Sequence, residues 1–142
     1  MIPTLAVLLR VAGAGLLLLA AVHVPLARHL KWREQALLLT PLNGAIFRVH
    51  NLFIQVILLV MALPCLLDPR SFLDISRAGA WMSSSFAAFW AVRLYCQWFV
   101  YEKTLWRAKR FETSIHWLFS FVWLSLAALF GICASRQVGW IS

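Results

Sequence analysis

Acidic residues are scarce in this chain: five Asp and Glu stand against thirteen Lys and Arg in 142 residues, a formal charge of +8 at neutral pH. Its apolar stretches contain no paired carboxylates, and no Gly/Pro-broken segments recur in two halves, which argues against a proton-coupled transporter. It has no Walker loop, no dinucleotide glycine fingerprint, no HExxH zinc motif and no Ser-His-Asp arrangement of recognisable spacing, so the usual soluble-enzyme chemistries are excluded. Internal repeats, low-complexity tracts and lipidation signals are also missing. Of the three cysteines, Cys65 and Cys133 lie near matching ends of two apolar segments, where a disulfide is feasible if they approach, and Cys96 reads as a small apolar packing residue. The excess of cations sits in short segments between apolar runs, with no soluble basic domain to grip a duplex, so nucleic acid is excluded as a partner.

Apolar residues are abundant. They make up 63% of the chain, with a mean hydropathy of +0.81, against roughly 45–50% apolar usage in soluble domains. Too little polar surface remains to cover a water-soluble fold, and the expected solvent is lipid. Stretches such as Val11–Leu19 and Ile54–Leu63 are almost continuously apolar and lack the alternation of a spanning β-strand, so the spans are predicted to be α-helices. At about 20 residues per span, four fit: roughly 5–26, 45–66, 80–101 and 114–134. The expected fold is all-α, a single integral membrane four-helix bundle. Met1 to Leu26 reads as a retained helix, since no basic region precedes it and no small-residue cleavage site ends it. Thr40-Pro41 is an N-cap and first-turn pair for the second span, and Trp32 to Leu39 reads as a short interfacial helix.

Arg28, Lys31, Arg33, Arg48, Lys103, Arg107, Lys109 and Arg110 gather on the face of the first and third loops, against Arg70, Arg77 and Arg136 on the other. The positive-inside rule makes the first face cytoplasmic and puts both termini on the non-cytoplasmic side, as in a bacterial inner-membrane protein. Trp32, Trp98, Trp106 and Trp117 are expected in one aromatic belt, with Trp81 and Trp140 at the opposite interface. Small residues at Ala12–Gly15 and Ser83–Ser85 allow close helix approach within the chain, in a homo-oligomer or in a larger membrane complex.

The chemistry is expected at the cytoplasmic end. His23, His50 and His116 each lie about two to five residues inside a span, or roughly 3–8 Å at 1.5 Å per residue, and share a depth. Neutral imidazoles ligate transition metals, and two facing ones hold a haem iron, so these three are the candidate metal ligands. The bland alternative is interfacial histidines bonded to helix ends or headgroups. Arg93, Gln97 and Tyr101 recur at i, i+4, i+8 and form a polar seam on the third span, the candidate catalytic set. Arg93 lies about eight residues deep by the same rise, where a lipid-facing guanidinium is costly. Arg48 and Asn51, with Gln55, share a face of the second span and join Arg93 as candidate cofactor-binding groups, whereas His50 points roughly 100° away from Asn51. Glu112 precedes His116 by four residues and is placed to orient its ring, or to act as a helix-start carboxylate. Arg10, about five residues inside the opposite face, reads as structural, pairing with Asp68 or Asp74 or snorkelling outward. His29 reads as solvated.

The run Ala45-Ile46-Phe47-Arg48-Val49-His50-Asn51, followed by Arg93-Leu94-Tyr95, resembles the membrane-associated proteins in eicosanoid and glutathione metabolism. That resemblance implies four helices, a trimer with glutathione bound between subunits toward the cytoplasmic side, and a role for Arg93 in stabilising the glutathione thiolate. Arg48, His50, Asn51, Arg93 and Tyr95 carry it. The family's asparagine stands two positions after the histidine with a glutamate beyond; here Asn51 is adjacent and Gln55 replaces any acid, and His116 has no counterpart. Three functions are therefore expected in competition: a haem- or metal-binding redox protein, a glutathione-dependent enzyme, and a non-enzymatic accessory subunit.

Overall fold

The computed structural model describes residues 2–101 and 110–139. They form helix α1 (Ile2–His29), α2 (Trp32–Leu37), α3 (Pro41–Leu67), a 3-10 turn (Pro69–Phe72), α4 (Arg77–Tyr95), a π-helical turn (Cys96–Val100) and α5 (Arg110–Gln137), with no strand among the described residues. Three helices, α1, α3 and α5, are long and apolar enough to cross a membrane. At 28, 27 and 28 residues each reaches about 40 Å, more than the ~30 Å of a hydrocarbon core. The third expected span, α4, is not among these three. Ser83, Ser84, Ser85 and Arg93 within its 19 residues dilute its apolar character. Trp106, Trp140, Lys103, Arg107 and Lys109, counted above for the belts and the charge asymmetry, lie outside the described residues.

The chain forms two compact units, Val7–Pro69 and Met1–Ala6 with Arg70–Ser142. In the first, α1 buries Leu9, Gly13, Leu16 and Ala20 along one stripe, the i, i+3, i+4 pattern of a helix face. Its tightest approach is at Gly13, where a Cβ would come 2.7 Å from Leu66 Cγ, 3.0 Å from the Ala62 carbonyl and 3.0 Å from Cys65 Cβ. Only a hydrogen side chain lets α1 and α3 close to this distance, as at small-residue contacts of membrane helices. At Gly15 nothing lies within 4 Å of the corresponding point. The N-terminus of α3 forms as expected: the Thr40 hydroxyl accepts from the Asn43 amide at 3.4 Å, with Pro41 in the first turn, satisfying an amide that the helix leaves unpaired. The interfacial helix also forms, as α2, with Ala36 buried and Trp32 edge-on to both His23 and Phe47 at 6.3 and 6.1 Å.

In the second unit α4 packs along α5. Phe72, Phe86 and Phe130 form a cluster with centroids 5.1 to 5.7 Å apart. Beside it Gln137 ties the α4 entry loop to the end of α5: its Oε1 accepts from the Ser76 amide at 2.8 Å and its Nε2 donates to the Asp74 carbonyl at 2.9 Å. Gly79 is required here, since a Cβ would lie 2.5 Å from the Ser71 carbonyl and 2.6 Å from Gln137 Nε2. The Ser76 hydroxyl caps α4 by accepting from the Gly79 amide at 3.0 Å, which closes the corner.

Candidate functional site

The polar groups of α4 and α5 meet along one seam. Trp90, Arg93 and Gln97 follow one another at i, i+3, i+7, and His116, Ser120 and Trp123 do so at i, i+4, i+7, so each set lies on a single helix face. Arg93 Nη1 donates to Gln97 Oε1 at 3.3 Å, and Gln97 Nε2 lies 3.1 Å from His116 Nδ1, with Gln97 and His116 both buried. A guanidinium only donates, so the atom facing it is the amide oxygen; the atom facing the imidazole is then the amide NH2, also a donor. Nδ1 of His116 must accept, which leaves the ring neutral with its proton on Nε2. One short chain thus fixes the amide orientation and the tautomer together.

Arg93 also stacks. Its guanidinium carbon sits 5.1 Å from the Trp123 ring centroid and 5.6 Å from that of Tyr101, contacts worth about 1–2 kcal/mol each where water is excluded. Arg93 is therefore brought together with Gln97 and Tyr101, though Tyr101 lies beyond the helix in extended backbone. The sequence gives no sign that α4 continues into a π-helical turn at Cys96–Val100, closed by the Tyr101 amide on the Cys96 carbonyl at 3.3 Å. Such turns are frequent at functional sites because they re-aim side chains within an otherwise regular helix. From the same turn Trp98 Nε1 donates to Ser120 Oγ at 3.0 Å, and that hydroxyl donates to the His116 carbonyl at 2.8 Å.

Below this chain the aromatic rings stack: Trp90 on Trp123 at 4.9 Å and 11°, and Trp123 on Phe119 at 5.3 Å and 17°. Trp90 is 1% exposed and Trp123 4%, yet neither indole N–H has a hydrogen-bond partner among the described residues, nor does the buried Ser83 hydroxyl. Leaving such a group unpaired costs about 1–3 kcal/mol. The seam therefore holds a cation and unspent donors. No described carboxylate pairs with Arg93.

No family model, curated protein or solved structure matches this chain.

The remaining candidates behave differently. His23 Nδ1 lies 3.1 Å from the Leu19 carbonyl and His50 Nδ1 2.9 Å from the Ile46 carbonyl, each four residues back on its own helix. A carbonyl only accepts, so Nδ1 carries a proton in both rings, and the neutral form of each has its lone pair on Nε2, the tautomer that ligates a metal. His116 has the opposite tautomer. Among the described residues no group of three or more His, Cys, Asp or Glu is placed to hold a metal ion. Arg48 is exposed and Asn51 half-buried on α3, and a guanidinium nitrogen of Arg48 lies 3.6 Å from the point a Cβ on Gly44 would occupy. The partner that orients the His116 ring is Gln97, while Glu112 is exposed. Arg10 is also exposed.

Proposed function

We propose that the chain is a four-span inner-membrane protein, with α4 and its π turn as the remaining span, whose α4–α5 seam binds a small anionic group at Arg93. The observation that carries this reading is the chain from Arg93 through Gln97 to His116, in which a half-buried arginine in the last turn of α4 has aromatic and amide neighbours but no described carboxylate. A guanidinium there is costly without a counter-charge, and it binds carboxylate or phosphate through parallel hydrogen bonds. Glutathione, through its thiolate or carboxylates, is one such anion, and the family resemblance makes it the first to test. The topology proposed with this site has both termini outside and Arg28, Lys31, Arg33 and Arg48 on the cytoplasmic face.

The test is thermal unfolding of detergent-purified protein with oleate, dodecyl phosphate or glutathione, using a zwitterionic amphiphile as control. Stabilisation by at least one anion that Arg93→Gln abolishes is expected. Equal stabilisation of wild type and Arg93→Gln would refute the assignment.

A second reading, a haem or transition-metal redox role, draws support from the Nε2 lone pairs of His23 and His50. It predicts a haem absorption band or one metal per chain, lost in His50→Ala. A colourless, metal-free protein expressed with haem and metal supply would remove it.

A further inference from the structure

The connection between α1 and α3 carries features that neither proposed ligand site uses. Four permanent cations, Arg28, Lys31, Arg33 and Arg48, are exposed on it, against one acid, Glu34. That acid is held 3.6 Å from Lys31, in a pair whose side chains are 68% and 69% exposed. Screening by water makes such a pair weak, so the patch stays strongly positive. It is also built rather than loose. Lys31 adopts the left-handed backbone conformation, φ 52°, the only non-glycine residue to do so among the described residues. This is the position after a helix end where glycine is the usual occupant, and here it holds a cation at the corner instead. Helix α2 is pinned onto the start of α3, since the Ala36 carbonyl lies 2.9 Å from the point a Gly44 Cβ would occupy. A guanidinium nitrogen of Arg48 lies 3.6 Å from that same point, so the Arg48 charge sits beside the α2–α3 contact. Beside the cations, Leu37, Leu38 and Leu42 are 75%, 87% and 71% exposed, an apolar ridge that water does not favour.

We infer that this surface binds the phosphate of an anionic phospholipid, with the leucine ridge seated among its acyl chains. The position supports it: the patch lies where α1 ends and α3 begins, two helices long and apolar enough to cross a membrane, at the depth where headgroup phosphates lie. A fixed cationic collar next to exposed aliphatic side chains matches an anionic amphiphile in both charge and polarity, and a zwitterionic one in polarity alone. The inference is independent of the Arg93 site.

The experiment is native mass spectrometry of the full-length protein in mild detergent, with phosphatidylglycerol and phosphatidylcholine of matched acyl chains in equal amounts. At least fivefold preferential retention of phosphatidylglycerol is expected. Raising salt should weaken it, and Arg28→Gln/Arg33→Gln/Arg48→Gln should reduce it to parity. Arg70→Gln/Arg77→Gln, which removes charge elsewhere, should leave it intact. Equal retention of both lipids by wild type, or a preference unmoved by the triple substitution, would overturn the inference. Displacement of the lipid by polyglutamate at equal charge concentration would assign the surface to an acidic protein instead. The salt dependence of wild type tests the idea even if the triple variant does not fold.

Discussion

The two units hold their helices together in opposite ways. In the α1–α3 unit the two histidines are self-contained: His23 and His50 each bond to a carbonyl four residues back on the same helix, and the closest helix approach is apolar, over Gly13. In the α4–α5 unit three polar side chains also reach across: Gln97 to His116, Trp98 to Ser120, and Gln137 to the loop before α4. A side chain that bonds to its own helix contributes nothing to pairing but keeps a ring nitrogen for a ligand. One that bonds across specifies the pairing and gives up that nitrogen.

This contrast breaks most visibly at Gln97. Replacing it with Leu strands a guanidinium N–H and a buried ring nitrogen, and a loss of about 3 kcal/mol is expected in reversible unfolding. Adding Arg93→Leu and His116→Leu should recover most of that, because the two groups that Gln97 bonded are then gone as well. If the triple variant is the least stable, the chain does not work as a unit. In the other unit the sensitive position is apolar. Gly13→Ala should cost about 1–3 kcal/mol by overpacking, while Gly15→Ala, with open space at its Cβ position, should change stability by no more than about 1 kcal/mol, and upward, on helix propensity. Equal effects at the two glycines would mean that α1 and α3 do not close at Gly13. The smallest effect belongs to His50→Ala, expected within about 0.5 kcal/mol because the residue is exposed and its bond is local. Nitrogen NMR of labelled histidine sharpens the contrast without mutation: Nδ1 should be protonated in His23 and His50 and bare in His116. One common tautomer would remove the distinction.

Much of this was legible from residue types and spacing. The long apolar runs become helices, Thr40-Pro41 starts α3, Trp32 begins a short helix, and Arg93 meets Gln97 at its i+4 interval. Each is a local consequence of backbone hydrogen bonding or helical period. The π turn was not legible, because one shifted hydrogen bond leaves the apolar pattern of Cys96–Val100 unchanged. The tautomers were not legible either, since shared depth says nothing about which atom faces a ring. Depth likewise did not reveal that His23 and His50 belong to one unit and His116 to the other. The role of Gln137 had one available signal, an amide in the last turn of an apolar helix, but its partners lie in a loop far away in sequence.

That distance has a consequence in time. Ser76 and Gln137 are 61 residues apart, so at about 5–20 residues per second of synthesis the loop is made roughly 3–12 s before the side chain that completes it. During that interval its amide and carbonyl have only solvent to bond to, whereas α1 and α3 already have each other. The bend between α3 and α4 is therefore completed by a side chain of α5, made after both helices that the bend joins.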